Sequence, residues 1–214
     1  VVIDYIAVAD RPDFEPDSHE DAGSRVTGCH ADVVVFGADQ TGGLIGWSTG
    51  NVIESTTSGT VQGVTAVGGL LGTSSGTVTQ CASESEVNGT FHVGGLIGHA
   101  AGAGAAQCYA WGGVEGSEWV GGLLGSLDGG ALVTECYATG AVSSIASGGG
   151  LAGGVTGSVI ERSFWDMQTS SQTDSAGGVG LETEALMNPL TFLNADWDLD
   201  GVWTLIPHES YPYF

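Results

Sequence analysis

Four cysteines share one position of a repeating pattern: Cys29, Cys81, Cys108 and Cys136, with Ser55 and Ser163 at the same position elsewhere. Stacked units would turn them into a ladder with rungs about 4.8 Å apart. Two outcomes stay open. One is a buried column of small apolar thiols. The other is a Cys81–Cys108 or Cys108–Cys136 bridge, which parallel side-chain vectors make awkward. No Cys-x-x-Cys and no clustered His accompanies them, which argues against metal. Asp196, Asp198 and Asp200, followed by Gly201, have the opening of a calcium loop. The twelfth position holds Pro207 where a bidentate Glu is needed, so the segment reads either as an acidic turn or as a calcium site of another type. Calcium is the one cofactor the sequence offers. Asn88-Gly89-Thr90 is a glycosylation sequon, expected on a turn.

Catalytic chemistry finds little support. His19, His30, His92, His99 and His208 are scattered along the chain. Cys29 and His30 are adjacent, and neighbours on a strand face opposite ways. A polysaccharide lyase would set basic residues against an acidic polymer. This chain has 3 Arg, no Lys and 25 acidic residues, for a formal charge of −22. The same deficit excludes nucleic-acid binding and docking to anionic lipid. No apolar run reaches the roughly 18 residues of a membrane-spanning helix. An acidic, Lys-free surface stays hydrated when concentrated salt screens its repulsion, which suggests a halophilic source, with an ordinary acidic extracellular protein as the alternative. The chain opens on Val with no signal-peptide pattern, which reads as a processed or excised mature fragment.

The element that must position these residues is a repeat. Gly-Gly-Leu-x-Gly occurs five times, beginning at Gly42, Gly68, Gly94, Gly121 and Gly149, with steps of 26, 26, 27 and 28 residues. The segments ending in Cys29, Ser55, Cys81, Cys108, Cys136 and Ser163 keep the same period. Val, Ile, Thr and aromatic residues in short alternating runs, punctuated by Gly, specify strands. The fold class expected is all-β: a β-solenoid of about six 26–28-residue coils, each with two or three short strands. Leu44, Leu70, Leu96, Leu123 and Leu151 should point inward as one apolar column. The glycines should allow positive φ and close coil-to-coil approach.

The Val-Gly-Gly-Leu-Leu-Gly and Cys-Tyr-Ala-Thr-Gly-x-Val strings resemble the GLUG repeat of large bacterial and archaeal surface proteins. The tail is similar to the segment that closes such arrays, with Ser163-Phe164-Trp165-Asp166, Gly177-Gly178-Val179-Gly180-Leu181, Trp203 and Tyr211-Pro212-Tyr213. The resemblance spans roughly residues 25–214 and implies a surface scaffold, since such arrays flank adhesins and some secreted peptidases.

The organisation expected is therefore residues 1–24 as an N-terminal strand and acidic loop, 25–163 as solenoid, and 164–214 as a C-terminal cap. Residues 1–10 read as a strand that either shields the first coil or is donated to a neighbouring subunit. Residues 181–187 read as a short helix that stops before Pro189. Trp197, Trp203, Tyr211, Tyr213 and Phe214 are expected over the last coil. The function expected is a non-catalytic extracellular module of the cell surface. It would serve filament or surface-layer assembly or adhesion, or act as a spacer in a larger protein, with a glycan-active enzyme as the third reading. Its partners would be further copies of itself, other surface proteins or glycans.

Overall fold

The structure, a computed structural model, describes residues 24–102 and 104–214. The strand expected over residues 1–10 and nearly all of the acidic loop lie outside the described residues.

The chain winds as a parallel β-solenoid of five complete turns with a sixth begun. Each turn has four faces rather than two or three. The first coil shows them in order: Arg25–Thr27, His30–Phe36, Asp39–Gly42 and Ile45–Ser48. The first face stacks six strands, the third and fourth five each, and all pair in parallel. On the second face the first two coils carry unbroken strands, His30–Phe36 and Thr56–Gln62. The next three split theirs, as in Ala82–Ser83 and Glu86–Asn88.

The register explains how steps of 26, 27 and 28 residues coexist. Paired positions on all four faces keep constant separations except at one corner, where the fourth face passes to the first. Four residues separate Ser48 from Val52 and Ser74 from Val78. The separation is five from Ala100 to Ala105, six from Leu127 to Val133, and five from Val155 to Ile160. Every extra residue lodges there. Gly102, Gly129, Gly130 and Gly157 turn this corner with positive φ.

The Gly-Gly-Leu-x-Gly motif works by close approach and not by unusual φ. None of its glycines has positive φ. A Cβ on the second glycine would meet the carbonyl oxygen of the same glycine one coil on, at 2.1 Å for Gly95 against Gly122 and 2.2 Å for Gly69 against Gly95. A Cβ on the last glycine would strike the preceding coil, as Gly98 would strike Ala66 at 2.5 Å. The leucines between them form the expected column. Leu44 N–H donates to Leu70 O, Leu70 to Leu96, Leu96 to Leu123 and Leu123 to Leu151, at 2.9–3.0 Å. Leu70, Leu96, Leu123 and Leu151 are fully buried, and Leu44 in the first coil is half-buried. With Val52, Val78, Val133 and the alanines of the second face they form the larger core. A second core of valines, Val33, Val61, Val87, Val114 and Val142 against Val67, Val93 and Val120, fills the space between the second and third faces.

The C-terminal segment departs from expectation. Val159–Glu161 opens the sixth turn and Phe164–Asp166 continues it on the second face, α1 (Met167–Ser170) follows, and Val179–Leu181 pairs in parallel with Phe164–Asp166. The expected helix starts later and is shorter: Leu181 ends a strand, and α2 spans Thr183–Leu186. Pro189 does not merely follow it. It opens α3 (Pro189–Leu193), where its missing N–H costs nothing. The aromatic residues then run along the outer side of the second face instead of over the last coil. Trp197, Trp203 and Phe192 pack on Tyr109, Tyr137 and Phe164, which point outward from stacked rungs. The last coil is closed by Trp165, which joins the main core, and by the chain around Ser175, whose Oγ accepts from Leu151 and Ala152 N–H.

Candidate functional site

The cysteine column is the first of three constellations. Corner residues before it adopt left-handed backbone: Gly28, Glu54, Gln80, Gln107, Glu135 and Arg162, with φ of 47–65°. The twist takes the next N–H out of the sheet ladder, and the side chain of the coil above accepts it. Cys29 N–H donates to Ser55 Oγ, Ser55 to Cys81 Sγ, Cys81 to Cys108 Sγ, Cys108 to Cys136 Sγ, and Cys136 to Ser163 Oγ. Each of these hydroxyls and thiols donates in turn to the carbonyl two residues before it, at 3.3 Å for Cys81 and 3.2 Å for Cys108. The column is therefore a hydrogen-bonding device, which explains why Ser55 and Ser163 substitute for Cys. All four thiols are free, three are buried, and Cys29 is half-buried. Hydrogen bonding to Cys108 and burial push the Cys81 thiol up, and burial does the same for Cys108. Outside the barrel the same corner carries a polar row. Gln107 Nε2 donates to Glu135 Oε2 at 3.1 Å, and Arg162 Nη2 lies 3.2 Å from Glu135 Oε1.

The second constellation brings together residues that the sequence left scattered. His92 and Trp119 sit on a second left-handed column, with Gln40 and Ala66 below them. His92 reaches up to the next coil, where its Nδ1 lies 2.6 Å from Ser126 Oγ. Its ring centroid is 4.2 Å from that of Trp119 and 5.3 Å from that of His99. His99 Nε2 lies 3.1 Å from Asp128 Oδ2. Burial and the neighbouring His99 hold His92 below the usual histidine range, against an opposing pull from Asp128. The parts of a hydroxyl–imidazole–carboxylate relay are present but not in series. Ser126 contacts one imidazole and Asp128 the other, so no carboxylate orients the histidine that faces the hydroxyl. The signal available in the sequence was the spacing of His92 and His99 across one Gly-Gly-Leu corner.

The third constellation is the aromatic flank. Tyr137 OH accepts from Trp111 Nε1 at 2.8 Å and donates to the Pro212 carbonyl. Trp197 Nε1 donates to Arg162 O at 2.8 Å. Asp166 is fully buried. Its Oδ1 accepts from Gln168 and Thr169 N–H as the N-cap of α1, and its Oδ2 accepts from Thr183 Oγ1 and Tyr211 OH.

The remaining predicted positions fall as follows. Asp196, Asp198 and Asp200 are not gathered as a three-ligand cluster. Asp198 Oδ1 accepts from the N–H groups of Asp200 and Gly201, and Asp196 has left-handed backbone, so the carboxylates serve a turn. Among the described residues no three His, Cys, Asp or Glu side chains come together as metal ligands. Asn88 is exposed, but it ends strand Glu86–Asn88 rather than lying on a turn, 3.5 Å from Glu115 Oε2. No helix among the described residues is long and apolar enough to cross a membrane.

Comparison with known proteins is consistent with this architecture. Over 53 residues, a quarter of the chain, it is 36% identical to an Evansella cellulosilytica protein that carries the name Gly-rich membrane protein, and the match spans 6% of that protein. The chain thus spans only a small part of the length of its curated relative. A crystal structure of a Bacteroides ovatus protein that carries the name immunoglobulin A1 protease superposes with a TM-score of 0.67 at 17% identity. It covers 89% of this chain and 68% of that one, a likeness of fold alone. Residues 116–143 match the family described as the GLUG motif, so this chain is a parallel β-solenoid that contains a GLUG motif.

Proposed function

We propose that this chain is a non-catalytic structural module of a larger extracellular surface protein, used for adhesion or assembly. The observation that carries the reading is the unbroken inter-coil ladder. Backbone pairs and the leucine column tie all five turns into a rod about 24 Å long. A rod of this kind holds whatever its ends carry at a fixed distance. The charge of −22 keeps such a surface hydrated and repels nucleic acid and anionic lipid. In the His92–Ser126 pair no carboxylate orients the imidazole, since Asp128 contacts His99 instead, which supports a non-catalytic role.

End-to-end assembly of copies is a second reading, and one feature favours it. Arg25–Thr27, His30–Phe36, Asp39–Gly42 and Ile45–Ser48 stand at one end of the described stack and pair in parallel with the second coil. The terminal strands of a parallel stack are the place where a strand from another copy would be added. Negative-stain microscopy and size-exclusion chromatography on the chain with and without residues 1–10 separate the two. Polymers that vanish on deletion support strand donation, and polymers that persist overturn it. Monomers in both cases support the spacer and adhesion reading.

A further inference from the structure

Where the C-terminal segment returns to the solenoid it leaves a groove of about 330 Å³, lined by Glu54, Thr56, Gln80, Gly201, Val202 and Phe214. The two walls differ in chemistry. One is the corner of the second and third coils. Glu54 and Gln80 occupy the same left-handed rung position one coil apart, and Thr56 Oγ1 is held 2.7 Å from His30 Nδ1. Together they offer a carboxylate, an amide and a hydroxyl, a mixed set of donors and acceptors. The other wall is apolar: Val202 and the Phe214 ring, which remains 43% exposed. Phe214 is set in place before any ligand arrives, with its centroid 5.1 Å from Tyr109 and 5.2 Å from Trp203. The chain beside it is pinned by the Thr204–Tyr213 bridge and by Tyr137 OH on the Pro212 carbonyl.

We propose that this groove binds a neutral saccharide, one or two hexose rings in extent. A pyranose has an apolar C–H face and a rim of hydroxyls, and it matches a rigid aromatic wall opposite a polar one. A wholly apolar ligand would strip water from Glu54 and Gln80 without replacing their hydrogen bonds. Among the described residues no cationic side chain lines the groove, and the chain carries −22, so an anionic sugar is repelled. The preformed walls lower the ordering cost of binding. The inference rests on the adhesion part of the functional reading and gives it a ligand class.

The test is saturation-transfer NMR and calorimetry with maltose, cellobiose and lactose, and with digalacturonate as the charged control. Binding of at least one neutral disaccharide at about millimolar affinity is expected, with at least a tenfold loss in Phe214→Ala and in Gln80→Ala. Trp119→Ala, outside the groove, should bind unchanged. Gln80→Ala keeps the test valid if Phe214→Ala disturbs the aromatic stack. Absence of binding up to about 10 mM, tighter binding of digalacturonate, or unchanged affinity in Gln80→Ala would each overturn the proposal. None of these outcomes bears on the rod itself, which microscopy tests separately.

Discussion

Tyr211 donates its phenolic hydroxyl to Asp166 Oδ2 at 2.7 Å, joining the end of the flanking segment to the second face of the sixth turn. The same carboxylate caps α1 and receives Thr183, so one buried side chain ties together three pieces of chain. Asp166→Ala strands four donors at once and should lower stability by about 3 kcal/mol. Asp166→Asn retains the N-cap and should cost less. Tyr211→Phe should cost about 1 kcal/mol. Denaturant titration followed by tryptophan fluorescence measures all three, and an Asp166→Ala midpoint equal to that of the parent would refute the role.

Alkali should loosen the flank before the solenoid. Burial, and then the neighbouring Asp166, push Tyr211 up to about 12, and burial and then Glu84 push Tyr109 up to about 12. The folded state holds these protons more tightly than the unfolded state. Their contribution is complete below pH 10, the ordinary tyrosine value, and declines as pH rises from there toward 12. Near-ultraviolet absorbance and circular dichroism against pH should show tyrosine ionisation accompanied by loss of the aromatic signal, with the β-sheet signal persisting longer.

Cys108→Ser should be nearly neutral, because serine already does this work at Ser55 and Ser163. Cys108→Ala leaves the Cys81 N–H without an acceptor in a buried place and should cost about 1–3 kcal/mol. Ellman titration of the native chain should find one accessible thiol, Cys29, with the other three appearing on denaturation. Rapid reaction of all four without denaturant would contradict the buried ladder.

Gly95→Ala is expected to be among the most damaging single changes, exceeding about 3 kcal/mol, since the added carbon lies 2.1 Å from a backbone oxygen that cannot move alone. Gly130→Ala has open space and only its positive φ of 82° to oppose it, and should cost about 1 kcal/mol. Comparable losses in the two would show that conformation and not packing rules these glycines.

His92 should titrate below the ordinary histidine value of 6.5, because burial and His99 disfavour its charged form while Asp128 only partly offsets them. Its folded value is depressed, so the stability it contributes is present above pH 6.5 and is lost as pH falls below it. NMR titration of the imidazole protons would show this, and replacing His99 with Gln should move His92 upward.

Much of the fold could be read in the amino-acid order. The period, the parallel strands and the inward Leu44–Leu151 column follow from spacing and residue type. The left-handed corners do not, because Glu54, Gln107, His92 and Trp119 share no local preference for positive φ. Such a backbone costs about 1–2 kcal/mol per residue in isolation and is imposed by pairing with the coils on either side. The path of the tail was also hidden. A clue existed in Tyr109, Tyr137 and Phe164, three aromatics at one outward repeat position, which need an apolar cover. The spacing of the aspartates at residues 196–200 could not show that Asp198 accepts from the N–H groups of Asp200 and Gly201, because alternating carboxylates suit a turn as well as a cation. The imidazole cluster was only partly legible: His92 and His99 flank one Gly-Gly-Leu corner, but Trp119, Ser126 and Asp128 come from the next coil.

The corner between the fourth and first faces behaves as an expansion joint. Chain can be added there without shifting any other rung, so a foreign peptide spliced beside Gly129 should ride on the outside of the barrel while the stack beneath it keeps its alignment.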